Sequence, residues 1–141
     1  MSRTWVPAGL REMVRQRAKG RCEYCLTPEV LAFALHQVDH IVAEKHGGPT
    51  LEENLALCCI ACNQFKGTDF SSVDPFTRGR TPLFDPRKHQ WRQHFRLDGP
   101  HIRPLTDIGR ATARLLHFND PERVAERGFF IVSGHFTPPP H

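Results

Sequence analysis

The sequence predicts an α+β fold, and three observations support this prediction. Four of the five cysteines form two Cys-x2-Cys pairs, Cys22/Cys25 and Cys59/Cys62. Short apolar stretches with strand-like alternation lie between the two pairs, and patterns typical of amphipathic helices flank them. Helices and strands that follow each other without a regular βαβ repeat are typical of the α+β class. The 141 residues suit one compact domain with an appended arm.

The N-terminal half is predicted to contain one helix and two short strands before a second helix. Residues 8–19 are predicted to be helical, because Pro7 suits a first turn and Gly20 suits a C-terminal cap. Period-2 apolar patterns indicate the strands, and clustered glycine and proline indicate the loop between them. After the helix we expect a turn at 21–25, a strand near 35–41 within the apolar stretch 30–42, a polar loop at 43–54, a strand near 55–58 and a helix from about Cys62.

The C-terminal half is predicted to be a helical extension. Trp91 and Phe95 have the i, i+4 spacing of one helix face, Thr106 is a suitable N-cap, and Pro121 suits the first turn of a helix. The prolines between 70 and 86 indicate an irregular connection. We expect helices at 87–95, 107–117 and 121–130, followed by a frayed tail at 136–141.

The bulk composition narrows the classes of function. The chain has a net charge of +4, which suits an anionic partner such as nucleic acid. No apolar run approaches the roughly 18 residues that span a membrane, and the N-terminus lacks the apolar stretch of a secretory signal. We therefore expect a cytoplasmic protein without a membrane partner. In that compartment five cysteines point to metal binding, catalysis or burial rather than to disulfides.

The two Cys-x2-Cys pairs predict a structural zinc site. Each pair presents two thiolates on one side of a turn, and two such pairs complete a closed tetrahedral site with Cys22, Cys25, Cys59 and Cys62 as ligands. The alternative is four buried thiols. A thioredoxin-like redox pair is disfavoured because no βαβ pattern surrounds either motif. Cys58 lies outside the x2 spacing and is predicted to be a buried strand residue.

Three polar residues near the cysteine pairs have the chemistry of phosphodiester hydrolysis. Asp39 is a hard oxygen ligand suited to Mg²⁺ or Mn²⁺, and His40 can take a proton near neutral pH. Asn63 directly follows a predicted zinc ligand, so its carbonyl oxygen could join Asp39 on a second ion. A base for water and a metal for the phosphate are the parts that this hydrolysis needs. A lone histidine at a strand end is usually only hydrogen-bonded, and the combination is therefore more informative than any one residue.

Residues 22–67 resemble the HNH endonucleases, whose core is the ββα-metal fold. The matching stretches are CEYC, VDHI, GG and ENLALCCIACNQFKG, in that order. The resemblance implies that His40 is the general base, that Asp39 and Asn63 hold the catalytic divalent ion, and that Asn54 braces the loop that orients the base. The third position of the family pattern is here Asn63, a variant that also occurs in nucleases of this fold.

Further residues are weaker candidates for contact with nucleic acid. His36, His46 and Lys66 could contact the substrate, although His36 and His46 are more typical of a structural and a solvated residue, respectively. The C-terminal half, with LFDPR and IGRAT, resembles an extension carried by a subset of bacterial HNH proteins. Its many arginines could grip DNA or form a solvated basic face. We expect a core over 1–70 with the HNH motif, an extension over 71–135 packed on it, and a tail over 136–141.

The leading hypothesis is a metal-dependent endonuclease that hydrolyses phosphodiester bonds in DNA, with zinc as structural ion and Mg²⁺ or Mn²⁺ as catalytic ion. The alternative is a non-catalytic, zinc-containing module that binds nucleic acid. Such a module would keep the four cysteines but would not need Asp39, His40 and Asn63 together.

Overall fold

The computed structural model describes residues 5–29, 35–137 and 139. The chain divides into two compact units, Met1–Phe70 and Ser71–His141. The beginning of the predicted apolar stretch, 30–34, and half of the predicted tail lie outside the described residues. Within the described part of the chain, every helix is too short or too polar to cross a membrane. Both units mix helices with small antiparallel sheets, so the predicted α+β class is confirmed.

The first unit follows the predicted helix-strand-strand-helix order. Strands β1 and β2 are antiparallel, with Gln37 opposite Cys58 and His40 opposite Leu55. Two short 3-10 turns, Glu44–His46 and Glu52–Asn54, shape the loop between the strands. The elements are α1 (Ala8–Ala18), β1 (Gln37–His40), β2 (Leu55–Cys58) and α2 (Ile60–Lys66).

Helix α1 packs its apolar side against strand β2. Val14 and Ala18 are buried together with Leu55 and Leu57 in one hydrophobic cluster. Arg17, on the same helix, donates hydrogen bonds to the backbone carbonyls of residues 52 and 55. These contacts fix the end of the loop that leads into β2, and so they support the segment that carries the second cysteine pair.

The second unit contains two hairpins that the sequence interpretation missed. The connection 70–86, predicted to be irregular, pairs β3 with β4, and the predicted helix 87–95 is wrong over most of its length. Only one helical turn forms, and Phe95 begins a strand because Phe95 and Ile102 both need burial on one sheet face. The elements are β3 (Ser71–Val73), β4 (Arg80–Pro82), α3 (Trp91–His94), β5 (Phe95–Asp98), β6 (His101–Pro104), α4 (Asp107–Leu115) and α5 (Pro121–Val132).

An aromatic cluster forms the core of the second unit. The ring of Phe95 lies 5.1 Å from Trp91 and 5.5 Å from Phe118, measured between ring centroids. Leu116 of the same unit is fully buried. The predicted N-cap of α4 is also confirmed, since the Thr106 hydroxyl accepts a hydrogen bond from the backbone of residue 109.

Candidate metal and active site

The four predicted zinc ligands come together in the structure. All four cysteines are buried, and their sulfur atoms lie within 4.8 Å of one another. The Sγ atoms of Cys25 and Cys59 are 3.6 Å apart. A tetrahedral zinc ion with Zn–S bonds of about 2.3 Å separates its sulfurs by about 3.8 Å. The cluster therefore has the donor set and the size of a four-thiolate metal site.

The thiol pKa values of the two cysteine pairs in this cluster shift in opposite directions. The backbone amides of Cys25 and Cys62 point at the first sulfur of their own pair, at 3.5 Å from Cys22 and 3.4 Å from Cys59. Burial alone would raise the pKa of Cys22, but hydrogen bonds from the neighbouring thiols bring its pKa well below the usual range. Hydrogen bonds with Cys22 and Cys25 raise the pKa of Cys59, and burial raises that of Cys62, so a bound metal ion would have to displace the protons of this second pair.

Cys58 lies outside the cluster. It is fully buried as the last residue of β2, and burial raises its pKa well above the usual value. A buried, protonated thiol packs as a small hydrophobic side chain, and here it also hydrogen-bonds with Cys22. The prediction that Cys58 is a core residue is confirmed.

The turn between Cys22 and Cys25 ties the cluster to both strands. The backbone amide of Glu23 donates to the carbonyl of Leu57, and its carboxylate accepts from the amide of the same residue. The buried Tyr24 hydroxyl donates to Asp39 Oδ2 at 3.3 Å. A shift of the metal site would therefore be transmitted directly to the candidate ligand on β1.

Strand β1 and helix α2 face each other through two polar pairs. Lys66 Nζ lies 3.1 Å from Asp39 Oδ2, with both side chains buried. The Asn63 amide donates a hydrogen bond to the side-chain oxygen of Gln37. Gln37 and Asp39 alternate onto one strand face, and Asn63 and Lys66 are one helical turn apart. The cysteine cluster and these pairs thus bring the two predicted divalent-metal ligands, Asp39 and Asn63, to opposite sides of one interface.

The charge of Asp39 is compensated inside the protein. Burial raises the pKa of this carboxyl, whereas the neighbouring Lys66 ammonium and Tyr24 hydroxyl oppose that rise. The same ammonium also donates to the backbone carbonyl of His40 at 3.2 Å. Lys66 therefore holds the two consecutive candidate residues at the end of β1.

The imidazole of His40 is held by the loop that follows. Its Nε2 lies 2.9 Å from the hydroxyl of Thr50, and the side chain is almost completely buried. Asn54 fixes that loop with three hydrogen bonds, accepting from the amide of Val42 and donating to the carbonyls of Val42 and Pro49. These bonds hold the loop in place, and the role of Asn54 in orienting a catalytic base stays a prediction.

Gly48 makes the close approach that this loop needs. A Cβ atom at this position would lie 1.7 Å from the carbonyl oxygen of Val42 and 2.8 Å from the Asn54 amide nitrogen. We expect Gly48→Ala to lower the free energy of unfolding by about 3 kcal/mol, as measured by chemical denaturation. Gly9→Ala is the control, because no atom lies within 4 Å of a Cβ there. An equal response of the two variants would contradict the expected clash.

The three predicted contacts with nucleic acid differ in exposure. His46 is exposed in the loop, where its ring lies 5.1 Å from that of Phe70. His36 is buried, with Nε2 2.8 Å from the carbonyl oxygen of Thr27. The Lys66 side chain is 1% exposed and forms an ion pair with Asp39, so it does not reach the surface. Among these three, His46 is the side chain that is exposed to solvent.

Sequence reasoning missed three residues that support the site. Gln37, Tyr24 and Thr50 contact Asn63, Asp39 and His40 respectively. Strand alternation alone places Gln37 on the same face as Asp39, so the position of Gln37 could have been predicted from the sequence. The other two contacts depend on how the cysteine turn and the loop fold back onto β1.

A comparison with protein-family models matches residues 22–69 to the family HNH endonuclease. Curated proteins gave no match, and neither did solved structures. The matched segment contains all four cluster cysteines as well as β1, β2 and α2. The family match and the geometry of the cysteine cluster identify residues 22–69, about a third of the chain, as an HNH endonuclease domain.

Proposed function

We propose that the protein is a metal-dependent endonuclease that hydrolyses phosphodiester bonds in DNA, with His40 as general base. The observation that carries the proposal is the β1–α2 interface. Asp39 on β1 and Asn63 on α2 lie on opposite sides of it. Lys66 joins Asp39 to the next residue by donating to the backbone carbonyl of His40, whose imidazole is held by the loop at Thr50. An acid ligand, a base and an amide ligand are the parts that metal-assisted hydrolysis of a phosphodiester requires.

His40 is proposed to take the proton of the attacking water through Nδ1. If Nε2 carries the ring hydrogen and donates it to the Thr50 hydroxyl, Nδ1 keeps its lone pair. A neutral imidazole with one nitrogen held and the other free is suited to general-base catalysis near neutral pH. Thr50 acts in this scheme as a positioning residue, and Asn54 maintains the loop on which Thr50 lies.

The side chains at the interface have oxygens suited to a hard divalent ion. The recorded contacts of the Asp39 carboxylate in the described part of the chain go to Oδ2, which leaves Oδ1 for a cation. Asn63 donates through Nδ2, which leaves its carbonyl oxygen as an acceptor. Both are ligands that Mg²⁺ and Mn²⁺ accept. When bound, such an ion would neutralise charge on the scissile phosphate and on the leaving oxygen.

Zinc is proposed as the ion of the four-cysteine cluster, because four thiolates at tetrahedral spacing select it over hard cations. The excess of basic residues supports DNA as the partner, and His46 is the proposed phosphate contact in the loop. His36 and Lys66 would support the nucleic-acid site only indirectly, through Thr27 and Asp39.

One observation favours the second candidate, a non-catalytic zinc module that binds nucleic acid. Asp39 already has a buried cationic partner in Lys66, as a purely structural carboxylate would. Asp39 could fill this structural role without any divalent ion. The two candidate functions differ in whether His40 takes part in a catalytic step.

Plasmid cleavage tests the proposal. Supercoiled plasmid is incubated with the protein in Mg²⁺, in Mn²⁺ and without added divalent ion, and zinc content is measured in parallel. We expect nicking that needs the added ion and falls at least ~10²-fold in His40→Ala, because a general base contributes about that much. His101→Ala, an exposed histidine of the second unit, is the control and should cleave normally.

Two results would contradict the proposal. Equal cleavage by wild type and His40→Ala would exclude His40 as the base. If neither protein cleaves while both retain zinc and retard DNA in a gel, the binding module is the better description.

A further inference from the structure

A cleft of about 460 Å³ opens beside the start of strand β1. Its lining includes Trp5 and Leu35, which lie in the segments before α1 and β1. It also includes Arg11 and Gln37, which belong to α1 and β1 themselves. This volume lies within the range of about 300–1,000 Å³ that is typical of small-ligand sites. The proposed role of the candidate active site does not use this cleft.

The cleft adjoins the candidate active site through Gln37. This residue lines the cleft, and its side chain also accepts the hydrogen bond of Asn63. Asp39 lies two residues further on the same strand face, about 7 Å away at the usual rise per residue. A chain whose phosphate lies at Asp39 and Asn63 would therefore place a neighbouring unit in or near the cleft.

The lining has the chemistry of a nucleotide site. Trp5 is 73% exposed and presents an aromatic ring on which a base can stack. Arg15 is held by Glu29 at 2.9 Å, whereas Arg11 is exposed on the same helix. The described lining residues include two arginines and no carboxylate. An anionic ligand with a flat ring fits this combination of charge and surface.

We propose that the cleft binds one unpaired nucleotide next to the scissile phosphate, with its base on Trp5 and its phosphate near Arg11. A base within a duplex is stacked on its neighbours and cannot lie against a tryptophan ring. The proposed substrate class is therefore nucleic acid with a single-stranded segment at the cleavage point, such as a gap, flap or bulge. This inference rests on the proposed nuclease function, because it takes the site at Asp39 and Asn63 as the place of cleavage.

Binding is measured first, in the His40→Ala background, so that the substrate stays intact. Fluorescence anisotropy compares a labelled single-stranded oligonucleotide with the duplex of the same sequence. We expect the added change Trp5→Leu to weaken binding of the single strand about tenfold and to leave duplex binding nearly unchanged, since one stacked base contributes about that much. Arg11→Gln should reduce the salt dependence of single-strand binding by about 0.7 in log–log slope. Lys19→Gln, an exposed cation at the end of α1, is the matched control for charge.

Cleavage assays then separate this proposal from the nuclease function itself. With His40 intact, we expect gapped or flapped DNA to be cut faster than duplex, and Trp5→Leu to remove that preference. If wild type cleaves but Trp5→Leu changes neither binding nor substrate preference, the cleft proposal is overturned while the nuclease function stands. If no substrate is cleaved but Trp5→Leu still weakens single-strand binding, the cleft stands as a nucleotide site and the nuclease function fails.

Discussion

Replacing Cys59 by serine is expected to release the structural metal and to unfold the first unit. The four sulfurs lie within 4.8 Å of one another in the interior; two of them precede β1 in the chain and two lie at the start of α2. Structural zinc in small four-ligand sites contributes on the order of 10 kcal/mol to folding. The hydrophobic cluster that packs α1 against β2 has five buried members among the described residues, too few to replace that contribution. Metal analysis should find one zinc per wild-type chain and less than one per variant.

Cys58→Ala is the matched control for this experiment. Cys58 neighbours Cys59 in sequence but is a buried strand residue outside the cluster. It should retain one zinc and lose about 1 kcal/mol or less in the free energy of unfolding, since alanine also suits a small buried position. Circular dichroism and proton–nitrogen correlation spectra would report folding of each unit. Zinc retained by Cys59→Ser but lost by Cys58→Ala would show that the ligand had been assigned to the wrong cysteine.

Replacing Lys66 by methionine is expected to lower the free energy of unfolding by about 3–5 kcal/mol, because it leaves Asp39 as an uncompensated buried carboxylate. The Nζ atom lies 3.1 Å from that carboxylate, and both side chains are buried. Methionine fills nearly the same space without the charge. The pKa of Asp39, which burial already raises, should rise further, and urea denaturation at neutral pH measures the loss.

A second variant separates charge from packing. Asp39→Asn combined with Lys66→Met removes both charges and should recover most of the lost stability, because a neutral pair has no buried charge to compensate. Lys45→Met, an exposed lysine of the same unit, should change stability by no more than about 0.5 kcal/mol. A double variant as unstable as Lys66→Met alone would show that lost packing, not charge, causes the effect.

The sequence predicted those parts of the site that depend on local spacing. Cys-x2-Cys turns have nearly the same geometry in any fold, so the four cysteines could be assigned from their positions alone. Strand β2 appeared at the predicted residues because an apolar run directly follows a polar loop. The burial of Lys66 could not be predicted in this way, since it depends on the packing of α2 across β1.

The second unit shows where local patterns were misleading. Trp91 and Phe95 fit one helix face, yet only one helical turn forms before Phe95 enters a strand. The Gly99–Pro100 dipeptide was the better signal, because glycine at the first position of a two-residue loop favours a hairpin turn and Gly99 adopts a positive φ of 57° there. The pairing of β3 with β4 has no comparable local signal. The turn between these strands is held by Arg110, which donates to the Asp74 carboxylate from 36 residues away.

The cysteine cluster also changes the topology of the chain. A metal held by Cys22 and Cys62 at once would close the intervening backbone into a ring, and every proposed catalytic residue except Asn63 lies on it. A protease that cut this ring once, in the exposed stretch at 51–53, would leave both fragments tethered through the ion. The nicked protein would migrate as one species until a chelator separated it into two.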